Sequence, residues 1–141
     1  MFGQHKRNLD DKSRVVLPPV FKEELGSTFY ITLGFDGNAE LRSQDNFRNY
    51  ISMLEDKSFF DKRVRDITRI ILGNAFEVAL DNQNRISLPK HIVSKLSIQK
   101  EVVFVGVGSF VELWSSEKFE AFENQYSSED LINLAQMLSE R

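Results

Sequence analysis

The feature that most constrains this chain is an internal duplication. Residues 9–25, LDDKSRVVLPPVFKEEL, return without a gap as residues 80–96, LDNQNRISLPKHIVSKL, 71 positions later. Six positions are identical: Leu9/Leu80, Asp10/Asp81, Arg14/Arg85, Leu17/Leu88, Pro18/Pro89 and Leu25/Leu96. After a one-residue shift the likeness resumes, pairing Gly34 with Gly106, Glu40 and Leu41 with Glu112 and Leu113, and Phe47 with Phe119. A whole unit was therefore copied. Two copies at this spacing are too few for a solenoid, which needs about three repeats to bury a continuous core. A pseudo-two-fold pair remains.

Each half, taken alone, is near the size at which a hydrophobic core becomes marginal. The halves are therefore expected to share one core, and a 41% apolar content with 12 Phe is enough to fill it. The expected division is a first unit over 1–56, a helical linker over 57–75, a second unit over 76–126 and a C-terminal helix over 127–141.

Local chemistry gives the elements. Asp10 and Ser13 stabilise a tight reversal before a short β-branched strand, Val15, Val16 and Leu17. Pro18 and Pro19 stop that strand and open a helix carrying Val20, Phe21 and Leu25, with Gly26 as its C-cap. A strand over 29–35 runs into Asp36-Gly37, which predicts a two-residue type I′ hairpin turn. Ser43 then caps a helix with Phe47, Tyr50, Ile51 and Leu54 on one stripe. A helix over 61–72, ended by Gly73, carries Val64, Ile67, Ile70 and Ile71 and is placed to clamp the copies together. Its cations Lys62, Arg63, Arg65 and Arg69 read first as a solvated face or as ion-pair partners for acids such as Asp66. The second copy repeats the pattern. It ends in a strand over 101–107, a return to Trp114, and helices over 117–126 and after Ser127, the last with a Leu131, Leu134, Ala135, Leu138 stripe. Residues 1–8 give no definite element beyond a possible extension of the first strand.

Charge is unevenly placed. The net charge is −3, yet residues 112–141 hold seven acids and two bases, leaving 16 bases against 14 acids in the rest. Lys6, Arg7, Lys12 and Arg14 cluster near the start. A basic face backed by an acidic tail fits these counts, and so does a mixed solvated surface. No cysteine is present, which removes disulfides and thiolate metal sites. No apolar run suits a signal peptide or a membrane span. A cytoplasmic protein is expected.

Enzyme chemistry is poorly supported. His5 and His91 have no metal or triad spacing, and no glycine-rich phosphate loop occurs, so no cofactor, metal or small-molecule substrate is expected. The two Asp-x-x-x-Arg motifs offer something else. An arginine at the base of a hairpin, oriented by a carboxylate, presents a planar fork suited to phosphate or to guanine O6 and N7.

The doubled LD-x-x-x-R-x-x-LP block, the RIILGNAFEVALD junction and VELW at 111–114 resemble the MraZ family of bacterial transcription regulators, and the resemblance covers essentially the whole chain. The halves of that family resemble the swapped-hairpin domains of AbrB-type and MazE-type regulators. The resemblance implies a mixed α/β fold, mostly β with packed helices. It further implies two tandem swapped-hairpin repeats in a pseudo-two-fold, barrel-like core, and several chains assembled as a ring. It also implies binding to double-stranded DNA at tandem repeats upstream of the division and cell-wall gene cluster, in association with the nucleoid. Carried over by motif, Arg14 and Arg85 touch DNA while Asp10 and Asp81 set the hairpins; Lys6, Arg7 and Lys12 join them on electrostatic grounds. Glycine often precedes the arginine in this family, where the present chain has Ser13 and Asn84, so the first hairpin is expected to use a different turn. The competing function is a protein-interaction or antitoxin-like scaffold held by the acidic C-terminal helices; an enzyme acting on nucleic acid ranks third.

Overall fold

A computed structural model of the chain describes residues 1–140. The first repeat runs β1 (Phe2–Asn8), β2 (Arg14–Val16), α1 (Pro19–Leu25), β3 (Thr28–Leu33), β4 (Ala39–Ser43) and α2 (Gln44–Glu55). After α3 (Lys62–Gly73) the second repeat gives β5 (Phe76–Ala79), β6 (Arg85–Ser87), α4 (Lys90–Lys95), β7 (Glu101–Val107), β8 (Val111–Ser115) and α5 (Ser116–Asn124), followed by α6 (Ser128–Ser139).

The six longer strands form one antiparallel sheet in the order β1-β7-β8-β4-β3-β5, and β2 pairs with β6 as a separate two-stranded ribbon. Exchanging the repeats turns that order into its own reverse, so the pseudo-two-fold passes between β4 and β8 in the sheet and between β2 and β6 in the ribbon. The halves are interleaved: β1 of the first repeat pairs with β7 of the second, and β5 of the second pairs with β3 of the first.

Burial explains the interleaving. Val15, Leu17, Phe21 and Leu25 match Ile86, Leu88, Ile92 and Leu96 across the duplication, and all eight are buried in a single core cluster with Phe29, Ile31, Leu41, Phe104 and Leu113 of the sheet. Ribbon, α1 and α4 thus share one core with the sheet. Helices α2 and α5 pack against the sheet strands, and a second cluster joins Val103, Trp114 and Phe119.

Four expectations need correction. The core is not a closed barrel, because β1 and β5 stand at opposite edges of the sheet and do not pair with each other among the described residues. Residues 2–8 form a seven-residue strand; its polar, largely exposed side chains carry no strand signal, and its identity comes from pairing with the apolar β7. Asp36-Gly37 does not make a type I′ turn, since Gly37 has φ +78° while Asp36 is not left-handed. The buried Asn38 side chain organises a wider loop, accepting from the Asp36 amide at 3.2 Å, and the Gly34 amide donates to the Asn38 carbonyl at 2.8 Å. Helix α3 is no central clamp: Ile71 is its only buried residue, and the helix runs through Gly73 to an Asn74 cap.

The caps follow their sequence signals. Ser43 accepts from the Asn46 amide, Gly26 closes α1 onto the Lys22 carbonyl, and Ser127 forms a capping box with Asp130.

Candidate nucleic-acid interface

The 10–14 and 81–85 turns are built alike. Asp10 Oδ1 accepts from the Lys12 and Arg14 amides at 2.9 and 2.8 Å, and Asp10 Oδ2 accepts from Arg14 Nε at 2.8 Å. In the second turn Asp81 Oδ1 accepts from the Gln83 and Arg85 amides at 2.9 Å each, and Oδ2 accepts from Arg85 Nε at 2.7 Å. Ser13 and Asn84 both take the left-handed conformation, at φ +57° and +58°. The first hairpin therefore uses the same turn as the second, contrary to expectation. Three local hydrogen bonds to one carboxylate outweigh the poor fit of serine to that backbone.

Each aspartate is held below its ordinary carboxylate value, chiefly by the backbone amide of its arginine, and further by the guanidinium and by the amide two residues on. Both acids are thus committed to structure at neutral pH.

Pairing of β2 with β6 sets the turns side by side. The Leu17 amide donates to the Asn84 carbonyl and the Leu88 amide to the Ser13 carbonyl, both at 2.9 Å, so each turn is tied to the other repeat. Arg85 Nη1 lies 3.8 Å from Asp10 Oδ2, which makes the two guanidinium–carboxylate pairs neighbours. Among the described residues each guanidinium makes one hydrogen bond, through Nε to its own aspartate. The Nη groups keep their N–H donors, on side chains that are 27% and 23% exposed. A fork held this way has lost its rotamer freedom in advance, which lowers the cost of binding an oxyanion or a guanine edge.

The flanking cations are not equivalent. Lys12 is exposed in the first turn. Arg7 on β1 donates from Nη1 to the Lys6 carbonyl. Lys6, its neighbour on the strand, points to the opposite face and lines a groove with Glu101, Glu120 and Glu123. The structure brings Arg14, Arg85 and Lys12 together and does not bring Lys6 to them. Sequence reasoning missed Lys22, whose Nζ donates to Asn84 Oδ1 at 2.8 Å across 62 residues. Its duplicate position holds Val93, so no repeat signal could have found it. The α3 cations pair largely as expected, Lys62 with Asp66 at 2.6 Å and Arg63 with Asp61 at 2.7 Å. His5 packs edge-on against Phe21, and no group of acids and histidines placed to hold a metal occurs among the described residues.

The doubled turn can be compared with known proteins. The family model described as "MraZ protein, putative antitoxin-like" matches residues 1–70 and again 71–141, the full chain in two copies. The chain belongs to the MraZ family. That family is one of regulators, not of enzymes. Relatives named "Transcriptional regulator MraZ" include those of Mycoplasmopsis synoviae, 42% identical over 96% of this chain and 95% of the relative, and Mycoplasma mobile, 41% identical over 100% and 97%. A more distant one, from Caldanaerobacter subterraneus subsp. tengcongensis, is 37% identical over 86% of this chain and 85% of the relative. No helix of this MraZ-family chain is long and apolar enough to cross a membrane among the described residues.

Proposed function

We propose that this chain is a DNA-binding regulator of transcription, working in the cytoplasm on the nucleoid, that reads tandem repeats upstream of the division and cell-wall gene cluster. The observation that carries the reading is the pair of adjoining guanidinium forks, Arg14 and Arg85, each aimed by its own aspartate and offering free Nη donors at one edge of the ribbon. Asp10 and Asp81 set the turns. Because each arginine is neutralised locally by its aspartate, attraction to the phosphate backbone falls to Lys12, Arg7 and Lys22. Lys6 stands among carboxylates and contributes least.

Two forks and a few lysines make few phosphate contacts, so a single chain binds weakly and with steep salt dependence. Assembly of several chains into a ring converts later contacts on tandem sites into intramolecular ones and raises avidity by orders of magnitude. The test is fluorescence anisotropy on the DNA upstream of the protein's own gene at two salt concentrations, with wild type and the Arg14→Ala, Arg85→Ala double variant. Sequence-preferring binding that the folded double variant loses is expected. Unchanged binding by the variant would move the contact off the ribbon, and equal affinity for one repeat and several would remove the avidity argument.

A further inference from the structure

Helix α6 makes no substantial packing contact with any other element of its own chain. Its stripe Leu131, Leu134, Met137 and Leu138 is between 42% and 76% exposed. With Phe122 and Tyr126 of α5, Leu131 and Leu134 line an open apolar groove. Its surroundings are acidic, since residues 116–140 hold six carboxylates against Lys118 alone. The α2–α3 joint has the opposite make-up. Residues 57–73 carry five cations against Asp61 and Asp66, beside exposed Phe59, Phe60 and Ile70.

Area points the same way. The chain exposes 9076 Å², whereas a compact monomer of its 16.3 kDa exposes about 7,500 Å². The excess of about 1,600 Å² is what a protomer would cover by taking part in two standard interfaces, at about 800 Å² per partner in each.

We propose that the acidic α5–α6 groove docks the basic, apolar α2–α3 joint of a second copy of this chain. The ring in the proposed function rests on this contact, but the contact itself needs no DNA. It is head-to-tail: each copy gives a joint and receives one, so successive copies either close into a ring or extend. Apolar side chains supply the desolvated centre and the opposite charges set orientation and approach. The charges lie at the exposed rim, where salt screens them, so assembly weakens as ionic strength rises.

Sedimentation velocity of the full chain without DNA, at low and high salt, tests this. Wild type is expected as a multimer that dissociates toward 16.3 kDa as salt rises. Reversing the joint (Lys62→Glu, Arg69→Glu) or the groove (Glu120→Lys, Glu123→Lys) is expected to give monomers with an unchanged circular dichroism spectrum. An equimolar mixture restores assembly, because each variant then meets its complement. Leu134→Asp, at a position that packs on nothing in its own chain, is also expected as a monomer. A monomeric wild type, reversed variants or Leu134→Asp that assemble normally, or a mixture that stays monomeric would each overturn the proposal. Anisotropy on a single DNA repeat separates the two readings: monomeric variants that still bind it leave DNA recognition standing, and an assembled wild type that binds no DNA sinks recognition alone.

Discussion

Replacing Ser13 and Asn84 by glycine, one at a time, should move stability in opposite directions. Both residues sit at left-handed φ, +57° and +58°. That conformation costs an ordinary L-residue about 1–2 kcal/mol, with asparagine the best tolerated after glycine. Glycine removes the penalty but loses more backbone freedom on folding, about 0.5–1 kcal/mol. The Ser13 side chain makes no hydrogen bond among the described residues, while the Ser13 amide and carbonyl bonds, to Asp10 and Leu88, survive the change. Ser13→Gly should therefore stabilise by about 0.5–1 kcal/mol. At Asn84 the relief is smaller, and the acceptor for Lys22 Nζ at 2.8 Å disappears. With a net hydrogen bond at about 0.5–1.5 kcal/mol, Asn84→Gly should come out neutral to about 1 kcal/mol destabilising. A separation near 1–2 kcal/mol corresponds to several degrees in Tm for a chain of this size. Thermal unfolding followed by circular dichroism at matched protein concentration resolves it, concentration being fixed because assembly shifts apparent stability. Equal shifts for the two variants, or a loss on Ser13→Gly, would refute both the shared left-handed geometry and the role given to Lys22.

Two further predictions follow from side chains that share charges. Asp10 and Asp81 have folded values below the ordinary 3.8, so their contribution is complete above that value and is lost as pH falls through the depressed folded values. Acid unfolding of Asp10→Asn, Asp81→Asn should be flatter in that window than wild type, and an identical acid limb would contradict the assignment. Arg42, 8% exposed, donates to Glu40 at 2.8 Å and lies 3.8 Å from the Tyr50 ring centroid and 4.4 Å from that of Phe110. Arg42→Met strands the buried Glu40 and should cost about 3–5 kcal/mol by urea denaturation, with Glu40→Gln in the same chain recovering part of it. A double variant no better than the single would show that Glu40 needs no counter-charge.

What was legible in the sequence was whatever short-range chemistry or duplication controls. The Asp-x-x-x-Arg turns, the proline stops, the Ser43 and Ser127 caps and the matched apolar residues Val15/Ile86 through Leu25/Leu96 all depend on neighbours within a few positions or on comparison of the copies. What was not legible depends on partners brought in from far along the chain. β1 is a strand only because β7 lies beside it, and its own residues are polar. The 34–38 loop departs from its Asp-Gly signal because Asn38 is buried and its Nδ2 reaches Glu112 Oε2 at 3.1 Å, 74 residues away. Lys22 joins the second turn through a contact its duplicate, Val93, cannot make. The barrel failed as an expectation for a related reason, since strand count and pairing order are decided by the whole sheet.

The spacing of the two forks is set by the hydrophobic core and not by the linker. β2 and β6 are three residues each, paired Arg14 to Ser87, Val15 to Ile86 and Val16 to Arg85. Val15 and Ile86, directly opposed, are 1% and 0% exposed. A one-residue slip in either strand would turn its buried side chain to solvent and its arginine to the other face. Register is thus enforced by the burial of Val15 and Ile86, and the cross-repeat bonds from Leu17 and Leu88 carry that register into the turns. The separation of Arg14 and Arg85 therefore inherits the rigidity of a packed interior although both side chains sit at the surface. Residues 57–73 can change in length or sequence without altering it, because no bond that fixes the ribbon passes through them. Two copies of a weak local motif become one fixed pair of donors, which neither copy could position alone.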